Sequence, residues 1–256
     1  MIPRLYINAD LSTGVAAALT AEQAHYLKNV LRREAGDTLL LFNGRDGEFE
    51  AEIAELKKKG GLAVVNQKTR EQEKEPDLHL LFAPVKRGPL EQIIQKATEI
   101  GAAHLTPVIT DHTVAPRVNM DRLQAIATEA AEQCGRLTVP VVAPPIKLAK
   151  ALDQWPAERR LIFCDEAGDD ETAEWGGRRG RAAPLLETLT GADRNADSWA
   201  ILTGPEGGFS TAERIMLRGK DFVTPATLGP RILRADTAAM AALVLWQAAL
   251  GDWRGS

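Results

Sequence analysis

The chain has 256 residues and a formal net charge of −4 at pH 7, so it can bury a substantial core as one large domain or two small ones. The negative charge excludes a globally basic surface, so any nucleic acid would have to bind a local basic patch. Cys134 and Cys164 lack the spacing of a disulfide framework or a zinc site, and the most apolar stretch, 235–250, is too short to span a bilayer. Together with an N-terminus that lacks an apolar signal core, these features predict a soluble cytoplasmic protein.

Residues 2–70 have the pattern of a small β-rich module. Thr20 and Gln23 have the spacing of a capping box, which predicts a helix that continues to about Leu31. Apolar runs bounded by turn residues predict strands at 2–7, 38–42, 48–53 and about 62–65.

A charged segment, Thr69–Asp77, predicts a linker, and after it strands and helices alternate. Strands are predicted at 78–83, 104–109, 139–142, 161–164, 199–202 and 222–223. Helices are predicted at 89–100, at 120–134, after residue 210 and after residue 236, and an exposed loop at 175–181. This alternation predicts an α/β domain with a largely parallel sheet, and we place two domains at 1–72 and 73–256.

Most familiar cofactor motifs are absent. No two glycines lie two residues apart, which excludes the dinucleotide fingerprint, and the Gly219-Lys220 pair lacks the remainder of a phosphate-binding loop. Ser210 lies in a sequence that only approaches a nucleophile elbow, and it suits the N-cap of the following helix better. The four histidines have no metal-ligand spacing, so no metal site is predicted.

Two glycine-bearing loops near the C-terminus, 202–210 and 228–237, are the most informative feature. Each follows a predicted buried strand and leads into a helix, so backbone N–H groups are exposed with little side-chain obstruction. Open α/β sheets place ligands at the carboxyl ends of their strands. Two such loops therefore predict one small ligand held from both sides, although turning the chain is the simpler role of each loop alone.

Several segments resemble the SPOUT class of RNA methyltransferases and, within it, the bacterial family that methylates N3 of a uracil in 16S ribosomal RNA. The main ones are Gly204-Pro205-Glu206-Gly207-Gly208-Phe209 and the segment 228–238, which contains Gly229, Arg231, Arg234 and Asp236. Further matching segments are 25–32, 42–44, 93–101 and 129–136.

This resemblance implies a PUA-like RNA-binding barrel at residues 1–72 and an α/β trefoil-knot domain at 73–256, the knot being an exception to ordinary chain threading. It also implies S-adenosylmethionine (AdoMet) bound in the knot, a homodimer whose active site uses both subunits, and 16S rRNA of the small ribosomal subunit as partner. Neither a membrane nor a metal is expected.

The expected site residues fall into three groups. The AdoMet-binding candidates are Leu202, Thr203, Gly204, Pro205, Gly207, Gly208, Leu228, Gly229, Ile232 and Leu233. The catalytic candidates are three arginines that would hold phosphate or stabilise the uracil anion, Arg136, Arg231 and Arg234, and three carboxylates that would act as base, Glu132, Glu206 and Asp236. Local basic groups that would bind RNA are Arg4, Arg32, Arg33, Lys86 and Arg87.

Alternatives remain open for the site and for the substrate. Each arginine could instead form a structural ion pair, and Glu206 could act only on the helix N-terminus downstream. Asp236 stands where Glu is expected from the resemblance, which shortens a candidate base by one methylene. Asp111-His112-Thr113 replaces an Arg-Ser pair, so the resemblance implies no RNA contact there. The same fold could methylate another RNA such as tRNA, or bind RNA without catalysis.

Overall fold

The computed structural model describes residues 2–114, 118–165, 182–192 and 198–254. The chain divides into two compact units. The first comprises Met1–Lys74 together with Thr128–Val139, and the second comprises Glu75–Ala127 together with Pro140–Ser256. The predicted loop at 175–181 lies outside the described residues.

The first unit is built on a five-stranded sheet. Its strands are β1 (Arg4–Tyr6), β2 (Ala16–Leu19), β3 (Thr38–Phe42), β4 (Glu48–Lys57) and β5 (Gly60–Arg70). They lie in the order β1-β3-β4-β5-β2, with β1 parallel to β3 and the other pairs antiparallel. The sequence predicted four of these strands, whereas β2 was missed because its run Ala-Ala-Ala-Leu lacks a clear strand signal.

The helix of the first unit begins where the capping box predicts. Helix α1 (Ala21–His25) has Thr20 as its N-cap: the Thr20 hydroxyl accepts the Gln23 N–H, and the Gln23 side chain accepts the Thr20 N–H. The helix continues as a π-helical turn, Tyr26–Val30, which ends one residue before the predicted boundary. The helix and the alternating inner residues of the strands bury a core that includes Leu5, Leu27, Leu39, Leu41 and Ile53.

The second unit contains a seven-stranded sheet. Its strands are β6 (Asp77–Phe82), β7 (His104–Ile109), β8 (Val141–Val142), β9 (Ile146–Lys147), β10 (Arg160–Cys164), β11 (Ser198–Thr203) and β12 (Val223–Ala226). The order is β12-β10-β11-β6-β7-β8, and β9 also pairs with β7. Every strand pair is parallel, as the predicted alternation requires.

Six further helices complete the described part of the chain. They are α2 (Arg87–Ile100), α3 (Met120–Cys134), α4 (Leu148–Asp153), α5 (Leu185–Thr190), α6 (Thr211–Arg218) and α7 (Ala235–Ala249). The short helices α4 and α5 escaped prediction, since six residues are too few to establish a helical period. None of the helices in the described ranges combines the length and apolarity of a membrane span.

The predicted fold class is confirmed: an α/β domain with a parallel sheet accompanies a β-rich N-terminal module. In the second unit, Leu81, Phe163, Ala200 and Leu202 form part of a core at the sheet. Strands β10, β11 and β12 end side by side, and the two glycine-bearing loops follow β11 and β12.

Candidate functional site

A cavity opens at the carboxyl ends of β10, β11 and β12. Its volume is about 60 Å³, or about 570 Å³ when the open space at its mouth is included. The first loop (residues 204–210) and the second loop (residues 227–234) supply most of its wall. The lining residues are Cys164, Asp165, Thr203, Gly204, Pro205, Glu206, Ala226, Thr227, Leu228, Gly229, Arg231, Ile232, Leu233, Ala235 and Ala238.

Thr203 is a lining residue of this cavity with an unusual hydroxyl. It is the last residue of β11 and is only 1% exposed. Its Oγ1 atom has no hydrogen-bond partner among the described residues. Because a buried hydroxyl without a partner is costly, a polar atom of a bound molecule would satisfy it.

Gly204 lies against the ring of Phe209, which leaves no room for a side chain at this position. A Cβ atom at Gly204 would lie 2.6 Å from Cε2 of Phe209, which real Cβ contacts do not tolerate. Phe209 is buried, and its ring meets Phe163 edge-on with 4.9 Å between centroids. Phe209 thus folds the first loop back onto the core, and the glycine leaves room for its ring.

Gly229 has a different reason to be glycine. Its φ angle is +118°, in a region that residues with a side chain rarely adopt, and no atom lies within 4 Å of the position of a Cβ. A side chain here would therefore strain the backbone and enter the open cavity that Gly229 lines.

The wall of the cavity at Asp165 is held by two cations from α6. Arg214 Nε lies 3.1 Å from Asp165 Oδ1, and Arg218 Nη2 lies 2.7 Å from Asp165 Oδ2. The Asp165 side chain is 1% exposed, so removal of an arginine would leave a buried charge with reduced compensation. These pairs fix α6, and with it the downstream end of the first loop, against the end of β10.

Most of the predicted AdoMet-binding residues come together at this cavity. Seven of the ten line it: Thr203, Gly204, Pro205, Leu228, Gly229, Ile232 and Leu233. Leu202 instead packs in the core. Gly207 and Gly208 belong to the first loop, where the Gly207 carbonyl is hydrogen-bonded to His112 and the Gly208 N–H donates to the Pro205 carbonyl.

The predicted catalytic residues separate into two groups. Glu206 and Arg231 line the cavity, are exposed, and have no hydrogen bond or ion pair with any described residue. Arg234 is the N-cap residue of α7 and Asp236 lies in its first turn, where the Asp236 carboxylate accepts the Thr237 N–H at 2.8 Å. Neither of these two residues lines the cavity.

Glu132 and Arg136 belong to the first unit. Glu132 Oε1 accepts the Tyr6 N–H at 2.9 Å, and Arg136 Nε donates to Thr138 Oγ1 at 3.0 Å. Burial raises the pKa of the Glu132 carboxyl to about 7, against the opposing effect of the Tyr6 hydrogen bond. Glu132 therefore exchanges its proton near neutral pH.

Arg4 does not serve as the predicted phosphate-binding group. Its guanidinium lies 2.6 Å from Glu48 Oε2 and donates to the backbone carbonyls of Ala131, Glu132 and Arg136 at 2.9–3.0 Å. The side chain is only 12% exposed. Arg4 therefore caps two C-terminal carbonyl groups of α3 and the Arg136 carbonyl just beyond the helix, and its role is structural.

The other predicted RNA-binding residues have different surroundings. Arg32 is exposed and adopts a positive φ of 56°, whereas Arg33 is half-buried. Lys86 and Arg87 are exposed at the N-terminus of α2, where Arg87 Nε lies 3.0 Å from Glu91 Oε1. The charged groups of Arg32, Lys86 and Arg87 are exposed to solvent, so a phosphate group could contact them.

Sequence reasoning missed several residues of the site. Asp165 follows the predicted strand 161–164 directly, so its place at the carboxyl end of a parallel strand was a usable signal. Thr227 directly follows β12, but the predicted strand ended at residue 223, so its place at a strand end was not evident. Asp111 and His112 were noted only as departures from the family pattern, yet both are hydrogen-bonded to the first loop.

Comparisons with known proteins place this geometry in context. A family model described as an RNA methyltransferase domain matches residues 72–247, and one described as an RNA methyltransferase PUA domain matches residues 19–66. A protein from Rickettsia conorii named "Ribosomal RNA small subunit methyltransferase E" is 32% identical over 94% of this chain and 93% of its own length. The Bacillus subtilis protein of the same name is 29% identical over 88% of this chain and 87% of its own.

Two solved structures resemble the whole chain. A putative methyltransferase from Legionella pneumophila, in complex with bound S-adenosylmethionine, has a TM-score of 0.81 and 30% identity, covering 98% of this chain and 99% of its own. A small subunit rRNA methyltransferase E from Neisseria gonorrhoeae, also bound to S-adenosylmethionine, has a TM-score of 0.81 and 28% identity, covering 99% and 100%.

Proposed function

We infer the function from the premise that this chain belongs to the RNA methyltransferase family, whose domain model matches residues 72–247. We propose that it is a cytoplasmic enzyme that transfers a methyl group from AdoMet to N3 of a uracil in 16S rRNA of the small ribosomal subunit. The names of the Rickettsia and Bacillus relatives support the RNA, and the sequence resemblance supports the N3 position.

One observation carries the proposal: the cavity at the carboxyl ends of the parallel strands is lined by Thr203, whose buried hydroxyl has no hydrogen-bond partner among the described residues. Thr203 would bond to a polar atom of AdoMet, and Leu228, Ile232 and Leu233 would contact its apolar surfaces. AdoMet bound in the structures from Legionella and Neisseria supports this occupant.

Bound AdoMet supplies an electrophilic methyl group, so the task left to the protein is orientation of the uracil and removal of its N3 proton. Arg231 lines the cavity and is not paired with any described residue, so it is available to stabilise a uracil anion. Arg136 and Arg234 remain candidates for holding phosphate.

Glu206 is the base that we propose. Of the three candidate carboxylates it is the one that lines the cavity, and no described residue occupies its oxygens. Glu132 has the pKa that suits a base near neutral pH, but its Oε1 atom already accepts the Tyr6 N–H. Asp236 already accepts from the first turn of α7.

The target uracil must be unpaired or flipped out, because N3 lies on the pairing edge of the base. We propose that residues 1–72 form the RNA-binding domain and residues 73–256 the methyltransferase domain. Arg32, Arg33, Lys86 and Arg87 would contribute the local positive charge that the net charge of the chain does not supply.

We also propose a homodimer whose active site uses both subunits. Several large apolar side chains of the second unit are exposed, among them Leu186, Ile232 and Val244 by 37–61%. Ile232 lines the cavity itself, so a second copy that covers it would complete the wall. Sedimentation of the purified protein would give twice the chain mass if this is correct.

The function is tested with small ribosomal subunits from a strain that lacks the corresponding methyltransferase. Incubation with the protein and labelled AdoMet should methylate 16S rRNA, and mass mapping should place the methyl group on N3 of one uracil. Free tRNA from the same strain serves as the competing substrate. Methylation of tRNA alone would overturn the choice of RNA, and AdoMet binding without methylation of either RNA would favour a non-catalytic role.

A further inference from the structure

The segment that follows β7 is a closed turn that lies against the first loop. The Thr113 N–H donates to the Thr110 carbonyl at 3.1 Å, and the Thr110 N–H donates to Thr113 Oγ1 at 2.9 Å. The two residues at the tip of this turn, Asp111 and His112, are therefore held in a defined position, and both contact the first loop.

His112 is hydrogen-bonded to the first loop at Gly207. Its Nδ1 atom lies 3.0 Å from the Gly207 carbonyl oxygen, and because a carbonyl only accepts, Nδ1 carries the proton. A Cβ at Gly207 would lie 3.4 Å from the His112 Cβ, so the two residues are in van der Waals reach of each other.

Asp111 joins the same loop at its other end through a ring of hydrogen bonds. The Ser210 hydroxyl donates to Asp111 Oδ2 at 2.6 Å, and the Asp111 N–H donates to Glu213 Oε1 at 2.9 Å. The second Glu213 oxygen accepts the Ser210 N–H at 2.9 Å, which closes the capping box of α6. The Ser210 proton points at Asp111, so its oxygen is free to accept the Glu213 N–H.

We propose that Asp111 and His112 are positioning residues that hold the first loop in its ligand-binding shape. The loop is exposed at Glu206 and Gly207, and between Pro205 and Phe209 its internal backbone hydrogen bond is the one from the Gly208 N–H to the Pro205 carbonyl. Contacts from the turn after β7 raise the fraction of molecules in which the loop is competent, and apparent affinity scales with that fraction. The inference rests on the proposed binding of AdoMet at this cavity.

The test measures AdoMet affinity by calorimetry in His112→Ala, His112→Asn and Asp111→Ala. Each lost hydrogen bond should weaken binding about 2–10-fold. Asn places an amide N–H close to the position of Nδ1, so His112→Asn should restore most of the affinity that His112→Ala loses. His25→Ala is the matched control, since His25 is a histidine of the first unit bonded to Asn29.

Kinetics separate positioning from a general structural effect. Because neither residue lines the cavity, the KM for AdoMet should rise in His112→Ala and Asp111→Ala while kcat at saturating AdoMet stays within twofold of wild type. Amide hydrogen exchange in residues 204–210 should also speed up in His112→Ala and return towards wild type in His112→Asn.

Three outcomes decide the matter. Weaker binding in both alanine variants with rescue by Asn supports the inference. Unchanged AdoMet affinity in both alanine variants, with wild type binding normally, overturns it while the proposed function stands. Absence of AdoMet binding in the wild type overturns the proposed function first, and the inference falls with it.

Discussion

Glu132→Gln should raise the stability of the protein above neutral pH. Burial raises the pKa of the Glu132 carboxyl from 4.5 to about 7. The folded state therefore binds more protons than the unfolded state between about pH 4.5 and pH 7, and the free energy of unfolding falls as the pH rises through that window. Above pH 7 the full penalty for the buried charge is present.

The size of the effect follows from the width of that window. One pKa unit corresponds to about 1.4 kcal/mol, so the ionised carboxylate costs up to about 3 kcal/mol at pH 8. Gln keeps an oxygen that can accept the Tyr6 N–H and carries no charge. The variant should therefore gain about 3 kcal/mol at pH 8, or about 6–12 °C in Tm, and nothing at pH 4.

The measurement is thermal and urea unfolding of both proteins from pH 4 to pH 8.5. Glu129→Gln is a comparison on the same helix: Glu129 is exposed and its charge contributes less than burial to the raised pKa of Glu132, so its replacement should shift the curves less. Superimposable pH profiles for wild type and Glu132→Gln would refute the assignment of a buried, proton-exchanging carboxyl.

Three further predictions concern the cavity and the RNA. Gly204→Ala should weaken AdoMet binding more than tenfold, because its Cβ would collide with the Phe209 ring, and adding Phe209→Leu should recover part of the loss in calorimetry; tight binding by the single variant would contradict this role of the ring. Glu206→Gln should lower kcat by about 10²–10⁴ and leave the Kd for AdoMet unchanged. A larger loss of kcat in Glu132→Gln than in Glu206→Gln would show that Glu132 is the base. Lys86→Ala and Arg87→Ala should each weaken binding of a 16S rRNA fragment and reduce the slope of log affinity against log salt concentration by about one. The same slope in a variant as in the wild type would contradict a phosphate contact at that residue.

Sequence reasoning succeeded where local chemistry decides the structure. The Thr20 capping box, the Ser210 N-cap, the strand–helix alternation and the two glycine-bearing loops depend on residues close together in the chain, and the structure has each of them. The cavity could be anticipated because parallel strands bring their carboxyl ends to one edge.

The errors concern contacts between residues far apart in sequence. Arg4 has the appearance of an RNA-binding residue, but the carbonyls that it caps lie 127–132 residues away. The space that Gly204 leaves for the Phe209 ring was likewise not predicted. The hydrogen bond from His112 to Gly207 spans 95 residues, and no periodicity or spacing in the sequence encodes such a pairing.

Helix α3 limits how the protein can be dissected. Residues Thr128–Val139 belong to the first unit, where Ala131 and Leu137 pack with Phe42 and Arg70 Nη1 donates to the Gly135 carbonyl. A fragment that starts after the N-terminal strands would contain this segment without its packing partners, so its apolar side chains would be exposed to water. Expression of the C-terminal portion alone should therefore give aggregates, and the two activities are better separated by point substitutions than by truncation.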